Sequence, residues 1–521
     1  MKVCVLQPDY STSGVDYRHY DPARDLARLL PGHEVRHVAL NKVSTYRQLK
    51  RLAPEGFDIY VNLCEGYLEW DVPSIDVIHS LEALGLPYTG PTPLLYDPPK
   101  PLMKYVAHTV GLSTPMHAIV DAGRVARAAS GPGSLAAADE MLRGATGHLR
   151  YPLFVKPAKA GDSLGVDEHS IVRDHTAFLT QALALADEYP DLLVEEFIDG
   201  REFTVLVIGE ESGRGHGSAL APIEYVFPAG FRYKSYALKT SEQHPEANIR
   251  VADPELAQRL RDAGERLFAG FAGVGYARLD FRMDAEGKLH FLEVNFTCSV
   301  FYEEGSEGSA DHILKLDGIG QARFLERIIA EGRARHRRKQ KPYEMRGNGI
   351  AGYGIVATRA IAKGEVLFRG EQRAQRIVTR RHVANTWNAA DRELFRHYAV
   401  PVSDEVYVMW DEDPNLWAPQ NHSCDANTSY VGLDVLARRD IAVGEELTLD
   451  YAELLNEEGA DFDCRCGAPN CRGHVRGSQG NSVTAREASG DPASRPGVFP
   501  STSPLAIERL KSAGTRTEAV G

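Results

Sequence analysis

The sequence predicts a multidomain α/β chain with an N-terminal parallel sheet, followed by a small, mostly-β domain and a disordered tail. Three observations carry this expectation. Short apolar strands at 3–6, 34–40 and 58–63 alternate with amphipathic stretches, the βαβ rhythm of a parallel sheet over residues 1–95. From Tyr151 regular strands follow at 152–156, 192–197 and 202–207. A helix over 254–271 then leads to a hairpin of 277–283 with 289–294, turned by Asp284, Ala285, Glu286 and Gly287. Short glycine-punctuated strands occupy 343–473, and beyond Val475 the composition turns to Ser, Gly, Pro and Thr.

At 521 residues the chain exceeds what one core holds. Its composition, 43% hydrophobic and 25% charged, is that of globular protein. A net charge of -13 argues against nucleic acid as a partner of the whole chain. No apolar run approaches about 18 residues, so no membrane span is expected. Residues 1–7 read as a strand without a cleavage site, so a cytoplasmic location is expected. Residues 122–148, rich in Ala, Gly and Ser, read as an insertion or loose helix. The basic run Arg333, Arg335, His336, Arg337, Arg338, Lys339 reads as a helix end and linker, its cations complementing the helix dipole. The expected divisions are 1–95, 96–332, a basic linker 333–342, then 343–458, 459–475 and a tail 476–521.

Between 96 and 332 the residues suit phosphoryl transfer, which needs cations on phosphates, carboxylates for Mg²⁺ and a cover against water. Lys156 ends a strand. A small-residue loop follows (Gly161, Asp162, Ser163, Leu164, Gly165), able to close over phosphates with backbone N–H groups. Glu293 and Asn295 share one face of a strand because strand periodicity is two, and Asp280 on the partner strand can face them. Such oxygen ligands suit Mg²⁺.

This ordered set resembles the ATP-grasp superfamily, in its D-alanine–D-alanine ligase-like branch, over about residues 55–330. The resemblance is carried by Val61 to Gly66, Ser80 to Gly90, Lys100 in Pro99–Lys104, Lys156 in Tyr151–Pro157, Val194 to Glu202, Gly275 to Phe281 and Phe291 to Asn295. It implies that Lys100, Lys156 and Lys239 (with Lys234 the weaker candidate) meet the phosphates and that Ser163 lies in their cover. Glu195 and the backbone of Glu196, Phe197 and Ile198 would hold adenine, and Glu202 the ribose. Arg278 would stabilise a tetrahedral intermediate, and Asp280, Glu293 and Asn295 would hold two Mg²⁺ or Mn²⁺ ions. The implied reaction joins a small-molecule carboxylate to an amine, amino acid or peptide, through an acyl phosphate. A homodimer is expected by the same analogy. Two loops depart from the branch. The stretch 7–14 lacks the glutamate loop for the first substrate, and 296–302 lacks the Pro-Gly loop for the second.

The C-terminal third carries a second constellation. A glycine turn, Gly352, Tyr353, Gly354, lets backbone approach a ligand. Asn421, His422, Ser423, Cys424 follow, then Gly444 to Tyr451, then Cys464, Cys466 and Cys471. Three cysteines cannot complete a tetrahedral zinc site. Four of the seven cysteines lie in this region, which suits a metal better than disulfides. Cys4 and Cys64 read as core residues, and Cys298, though close to the ligase motifs, is not expected to be a nucleophile.

This set resembles a SET domain with a post-SET zinc segment. The resemblance implies that Gly352, Tyr353, Gly354, Asn421 and His422 contact S-adenosylmethionine and that Tyr451 is catalytic. It implies that Cys424 joins Cys464, Cys466 and Cys471 around Zn²⁺. The methyl acceptor would be lysine or another amine. The stretch 370–405, where such domains read their target, matches least. The chain is thus expected to be bifunctional, a carboxylate–amine ligase and an N-methyltransferase. The alternative is a methyltransferase with the ATP-grasp half as a nucleotide-gated substrate-binding module.

Overall fold

The computed structural model describes residues 1–12, 21–66, 68, 70–130, 134–159, 165–227, 247–348, 352–370, 375–401, 403, 405–410, 420–454 and 461–476. The expected tail lies outside the described residues, apart from Arg476. Two compact units divide the chain, Met1–Lys339 and Gln340–Gly521.

In the first unit the N-terminal sheet is parallel, with Lys2–Pro8 between Glu34–Leu40 and Ile59–Asn62. Val3, Cys4, Val5 and Leu6 are all fully buried. A parallel strand covered on both faces is apolar at every position. Cys4 and Leu6 pack with Leu49 and Leu52 of the helix Thr45–Leu52 and with Val77, Ile78 and Leu81 of the helix Ile75–Ala83. Val3 and Val5 face the other way, into a core with Ile313, Phe324 and Ile328 from the helices Ser309–Asp317 and Gly320–Lys339. Residues 1–95 therefore share one of their two cores with the end of the unit.

A four-stranded antiparallel sheet runs His117–Asp121, Asp191–Glu196, Leu153–Pro157, Ile171–Val172. Leu153, Val155, Leu192 and Val194 face a helical layer. That layer includes Ala122–Ala129 and Ser134–Thr146, so the expected loose insertion is two packed helices. Strand alternation turns Lys156 and Glu195 to the opposite face.

The third sheet runs Asn248–Arg250, Ile223–Tyr225, Arg201–Gly209, Tyr276–Met283, Leu289–Asn295, with Gly217–Ala219 beside Arg201–Gly209. The helix Pro254–Gly270 starts where Asp253 accepts the N–H groups of Glu255 and Leu256, and Pro254 fills a position that needs no N–H. Its stripe of Leu256, Leu260, Ala263 and Leu267 packs on Val205, Val207, Leu279 and Phe281. The hairpin turn closes where Gly287 takes φ 79°.

The basic run, expected as a helix end and linker, forms the last two turns of the helix Gly320–Lys339. Arg335 is buried there because its guanidinium donates to the carbonyls of Gly90 and Tyr88, both at 2.8 Å, and stacks over the Tyr88 ring.

The second unit is built of short sheets. Tyr343–Asn348 pairs with Gly352–Ala357, and Asp434–Ala437 lies between Val366–Phe368 and Thr428–Val431. Asn421–His422 runs parallel to Thr448–Leu449, and Phe462–Asp463 pairs with His474–Val475. Residues 370–405 contribute the helices Arg380–Thr386 and Ala389–Tyr398, which pack Val383 and Phe395 against Tyr407 and Met409.

Candidate active sites

On the strand Tyr276–Met283, Ala277, Leu279 and Phe281 enter the core, so Arg278, Asp280 and Arg282 share the other face. Asp280 stands opposite Glu293 and Arg278 opposite Asn295. The register shifts after Asp280, as at a bulge that re-aims a side chain. Arg278 Nη2 lies 3.3 Å from Asp280 Oδ2. Asp280 Oδ1 and Asn295 Nδ2 are buried with no hydrogen-bond partner among the described residues. A buried carboxylate oxygen in that state suits a hard cation, so the donor set fits Mg²⁺.

The helix Lys100–Thr109 places Lys100 and Lys104 four residues apart on one face. Lys104 pairs with Glu195, and Lys156 Nζ lies 2.9 Å from the other Glu195 oxygen. Lys104 and Glu195 are both 3% exposed, so this triad is a desolvated network. Burial would push the Glu195 carboxyl up, but Lys104 and Lys156 outweigh it and hold it at about 2. For Lys156, burial is outweighed by Glu195 and Glu293, which keep its ammonium charged. Lys100 is pushed down, by burial first and then by the Lys156 cation, with Glu293 opposing. Lys100, Lys156, Glu195 and Glu293 thus share one electrostatic environment, drawn from a helix and two sheets.

The residues expected at adenosine have the following partners within the protein. The Glu195 carboxylate, expected at adenine, is committed to two lysines. The N–H groups of Glu196 and Phe197 donate to Met116 O at 2.8 Å and Pro152 O at 2.9 Å, and Ile198 O accepts from Arg282 at 2.7 Å. Glu202, expected at the ribose, accepts two bonds from Arg282, at 3.0 and 3.2 Å. Ser163, Lys234 and Lys239 lie outside the described residues. Cys298 is buried and its thiol is pushed up to about 12 by burial, which disqualifies it as a nucleophile. Cys4 and Cys64 are core residues, as expected.

In the second unit Gly352, Tyr353, Gly354 and Asn421 come together. Asn421 Nδ2 donates to Tyr353 O at 2.8 Å and to Glu446 Oε1 at 2.7 Å. A Cβ at Gly354 would stand 2.2 Å from Glu446 Oε1 and 2.9 Å from Asn421 Nδ2, so any larger residue would displace both side chains. Tyr353 is 65% exposed, which leaves this edge open to a ligand. His422 points elsewhere, with Nε2 3.3 Å from Cys424 Sγ and its ring against Tyr451 and Phe462. Burial lowers its pKa against the opposing effect of Asp450. Tyr451 Oη donates to Gln420 O at 2.7 Å.

The ligand atoms of His422, Cys424, Cys464 and Cys466 all lie within 4.8 Å of one another, a soft donor set that suits zinc. Cys471, expected with Cys424, Cys464 and Cys466 around the metal, is exposed and outside that group; its thiol donates to Cys464 O at 3.9 Å. Arg472 forks onto Asp450 at 2.8 and 2.5 Å, and Asn470 Nδ2 donates to Cys424 O at 3.1 Å.

Residues 130–301 match the family described as D-ala D-ala ligase C-terminus, and residues 352–452 match the SET domain. The D-alanine–D-alanine ligase of Bordetella petrii is 29% identical over 296 residues, 55% of this chain and 79% of its own length. That of Xanthomonas axonopodis pv. citri is 33% identical over 250 residues, 47% of this chain and 70% of its own. The chain belongs to the D-alanine–D-alanine ligase family. It has the ATP-grasp architecture of that family, followed by a SET domain. Among the described residues no helix is long and apolar enough to cross a membrane.

Two residues of the ligase-family site escaped the sequence reading. Lys104 sits one helical turn after Lys100, and that spacing alone places both on one face. Arg282 continues the two-residue period of Arg278 and Asp280. The departing loop 296–302 is tightly held. Ser299 Oγ donates to Glu65 at 2.7 Å and Tyr302 Oη to Asp21 at 2.8 Å. The Arg24 guanidinium pairs with Asp21 at 2.8 Å and donates to Val300 O at 3.2 Å. Phe301 is kept at φ 73°, a costly conformation for a non-glycine residue, while Asp311 accepts its N–H at 2.9 Å.

The Lys104–Glu195 pair gives a pH prediction. The Glu195 pKa is depressed from 4.5 to about 2, so its contribution is present above 4.5 and lost as pH falls toward 2. Lys104→Met removes one cation, leaves a less compensated buried carboxylate and should cost about 3–5 kcal/mol. Its acid unfolding limb should move to higher pH. Melting temperature against pH, from 7 down to 2, checks both effects; a superimposable acid limb contradicts the pairing.

Proposed function

We propose that the chain is a bifunctional enzyme, an ATP-dependent carboxylate–amine ligase and an S-adenosylmethionine-dependent amine methyltransferase. The observation that carries the ligase reading is the gathering of Lys100 and Lys156 with Glu293, beside the buried, unpartnered Asp280 Oδ1. Lys100 and Lys156 would balance phosphate charge, and Glu195 with Lys104 would hold Lys156 in place. Asp280, Glu293 and Asn295 would hold Mg²⁺, which when bound draws charge from the phosphate oxygens. The substrate carboxylate attacks the γ-phosphorus, ADP leaves, and an acyl phosphate remains. The amine, having lost a proton, attacks the acyl carbon and releases phosphate. Arg278 would lie against the oxyanion formed in that step.

In the second unit Gly352, Tyr353, Gly354 and Asn421 would border S-adenosylmethionine, which supplies the methyl group. The Tyr451 phenol would orient the acceptor amine in line with that methyl. The cysteine cluster would hold a structural zinc.

Purified chain with ATP, Mg²⁺ and an amino-acid panel is expected to release ADP and phosphate, with product masses naming the pair joined. Failure of every carboxylate–amine pair removes the ligase reading. Tyr451→Phe should cut methyl transfer about a hundredfold and leave ADP release unchanged. Methylation persisting at the parental rate removes the role given to that hydroxyl. Equal methylation with and without ATP, with no ADP release, would instead favour a lone methyltransferase.

A further inference from the structure

We propose that Glu65, set in place by Ser299 and Arg24, selects the amine substrate of the ligase half, and that this substrate carries a second, cationic amine and no carboxylate beside its reacting nitrogen. The inference rests on the ligase reading and names the acceptor class for that reaction.

The strand Leu289–Asn295 brings Glu293 and Asn295 to the metal face, and the chain then runs directly into the 296–302 loop. The site is marked independently by Asp280 Oδ1 and Asn295 Nδ2, which are buried without a hydrogen-bond partner among the described residues. In the loop, Ser299 Oγ donates to Glu65 Oε2 at 2.7 Å. Glu65 lies just past the buried strand Ile59–Asn62. One guanidinium brackets this pair. Arg24 donates to Leu63 O at 3.3 Å, two residues before Glu65, and to Val300 O at 3.2 Å, one residue after Ser299. Arg24 is itself buried, pairs with Asp21 at 2.8 Å and lies over the Tyr302 ring at 4.9 Å. A planar fork bonded to two carbonyls fixes their backbone segments against each other, so Glu65 and Ser299 keep one geometry.

Glu65 shares its surroundings with the ligase residues. After burial, the charges that act on the Cys298 thiol are Arg278, then Glu65, then Asp280. For the buried Tyr96 and Tyr276, Glu65 is the first charge to act after burial.

The polarity of this corner decides what it reads. A substrate carboxylate is bound by N–H donors. The amides of Phe301 and Tyr302 already hold Asp311, at 2.9 and 3.4 Å. Asp311 is buried and also accepts from the Gly308 N–H at 3.3 Å and from Gln321 at 2.8 Å. The loop has thus filled an anion site with the chain's own carboxylate. Arg24 is matched by Asp21 and Arg278 by Asp280, so Glu65 makes the corner net acidic. Such a corner attracts an ammonium group and repels a carboxylate.

A diamine meets both demands. Its unprotonated nitrogen attacks the acyl carbon, the C–N bond forms, and the C–O bond breaks as phosphate leaves with the electron pair. The nitrogen gives up one proton to solvent. The second nitrogen keeps its charge on Glu65 and does not react.

The test uses the full chain with ATP, Mg²⁺ and one carboxylate that supports ADP release. Putrescine, butylamine and alanine are compared as acceptors. Putrescine should exceed butylamine in kcat/KM about 10- to 100-fold, the scale of one hydrogen bond to a charged group, and alanine should be the poorest. Glu65→Gln keeps an acceptor for Ser299, loses the charge and should remove that preference. Arg24→Ala should lower the same ratio and Arg24→Lys restore part of it, whereas a merely structural role would move the melting temperature and leave the ratio unchanged. Calorimetric titration of putrescine, with Mg²⁺ and ADP present, should show binding to the parent and about tenfold weaker binding to Glu65→Gln. A parent that prefers alanine, a ratio unchanged in Glu65→Gln, or putrescine binding that is absent or equal in the two overturns the assignment. Putrescine binding that depends on Glu65, with no ADP released for any carboxylate, overturns the ligase reading and leaves the amine site standing.

Discussion

Asp280→Asn is expected to lower ADP formation about a thousandfold, the scale of several kcal/mol that a metal ion contributes to phosphoryl transfer. The substitution conserves volume and removes one charge. The residue stands opposite Glu293, at the bulge of the hairpin, with Oδ2 3.3 Å from Arg278 and a buried Oδ1 that has no hydrogen-bond partner among the described residues. A carboxylate placed that way is a cost to folding unless a cation meets it. The variant should therefore match or exceed the parent in melting temperature without Mg²⁺ while losing turnover. Coupled ADP release and thermal unfolding, each with and without Mg²⁺, check the two halves of this statement. Turnover within tenfold of the parent would mean that Asp280 does not hold the metal.

Cys424→Ser should reduce zinc from about one per chain to near zero and release residues 461–476 from the body of the second unit. A structural zinc contributes about 10–16 kcal/mol of apparent binding energy in small sites, far more than the remaining ties can replace. Those ties include the Arg472–Asp450 fork, whose arginine side chain is 42% exposed, and the Asn470 bond to Cys424 O. The fork joins a half-exposed arginine to a buried carboxylate, and neither it nor a single amide bond matches a metal that binds several thiolates at once. Metal analysis and limited proteolysis read the outcome: the variant should be cut within 461–476 where the parent is protected. Full zinc occupancy in the variant would place the metal elsewhere.

Much of the fold was legible because its strands obey simple periods. The uninterrupted apolar run at Val3 to Leu6 signalled a strand buried on both faces, and the alternation around Asp280 and Glu293 signalled a hairpin with one polar face. The glycine at 354 and the thiol spacing at 464 and 466 were equally readable, since each reflects a local steric or coordination demand. What could not be read was pairing across long separations. The partners of Glu195, Lys104 and Lys156, are set by how a helix meets a sheet, which no local pattern in the sequence shows. The basic run at 333–339 was legible as a helix end, but not the carbonyls that Arg335 finds some 245 residues away in sequence. His422 was read with its neighbour Asn421, but the two side chains leave the strand on opposite faces, one toward Tyr353 and the other toward the thiols.

The two-sided burial of the N-terminal strand also bears on how the chain leaves the ribosome. Val3 and Val5 share their core with residues of a helix that ends at Lys339. At about 5–20 residues per second, the opening segment waits roughly 10–50 s after residue 95 has been made before that helix exists. Through that interval an apolar sheet face stands open to solvent, and it is the surface on which a chaperone would first meet this protein.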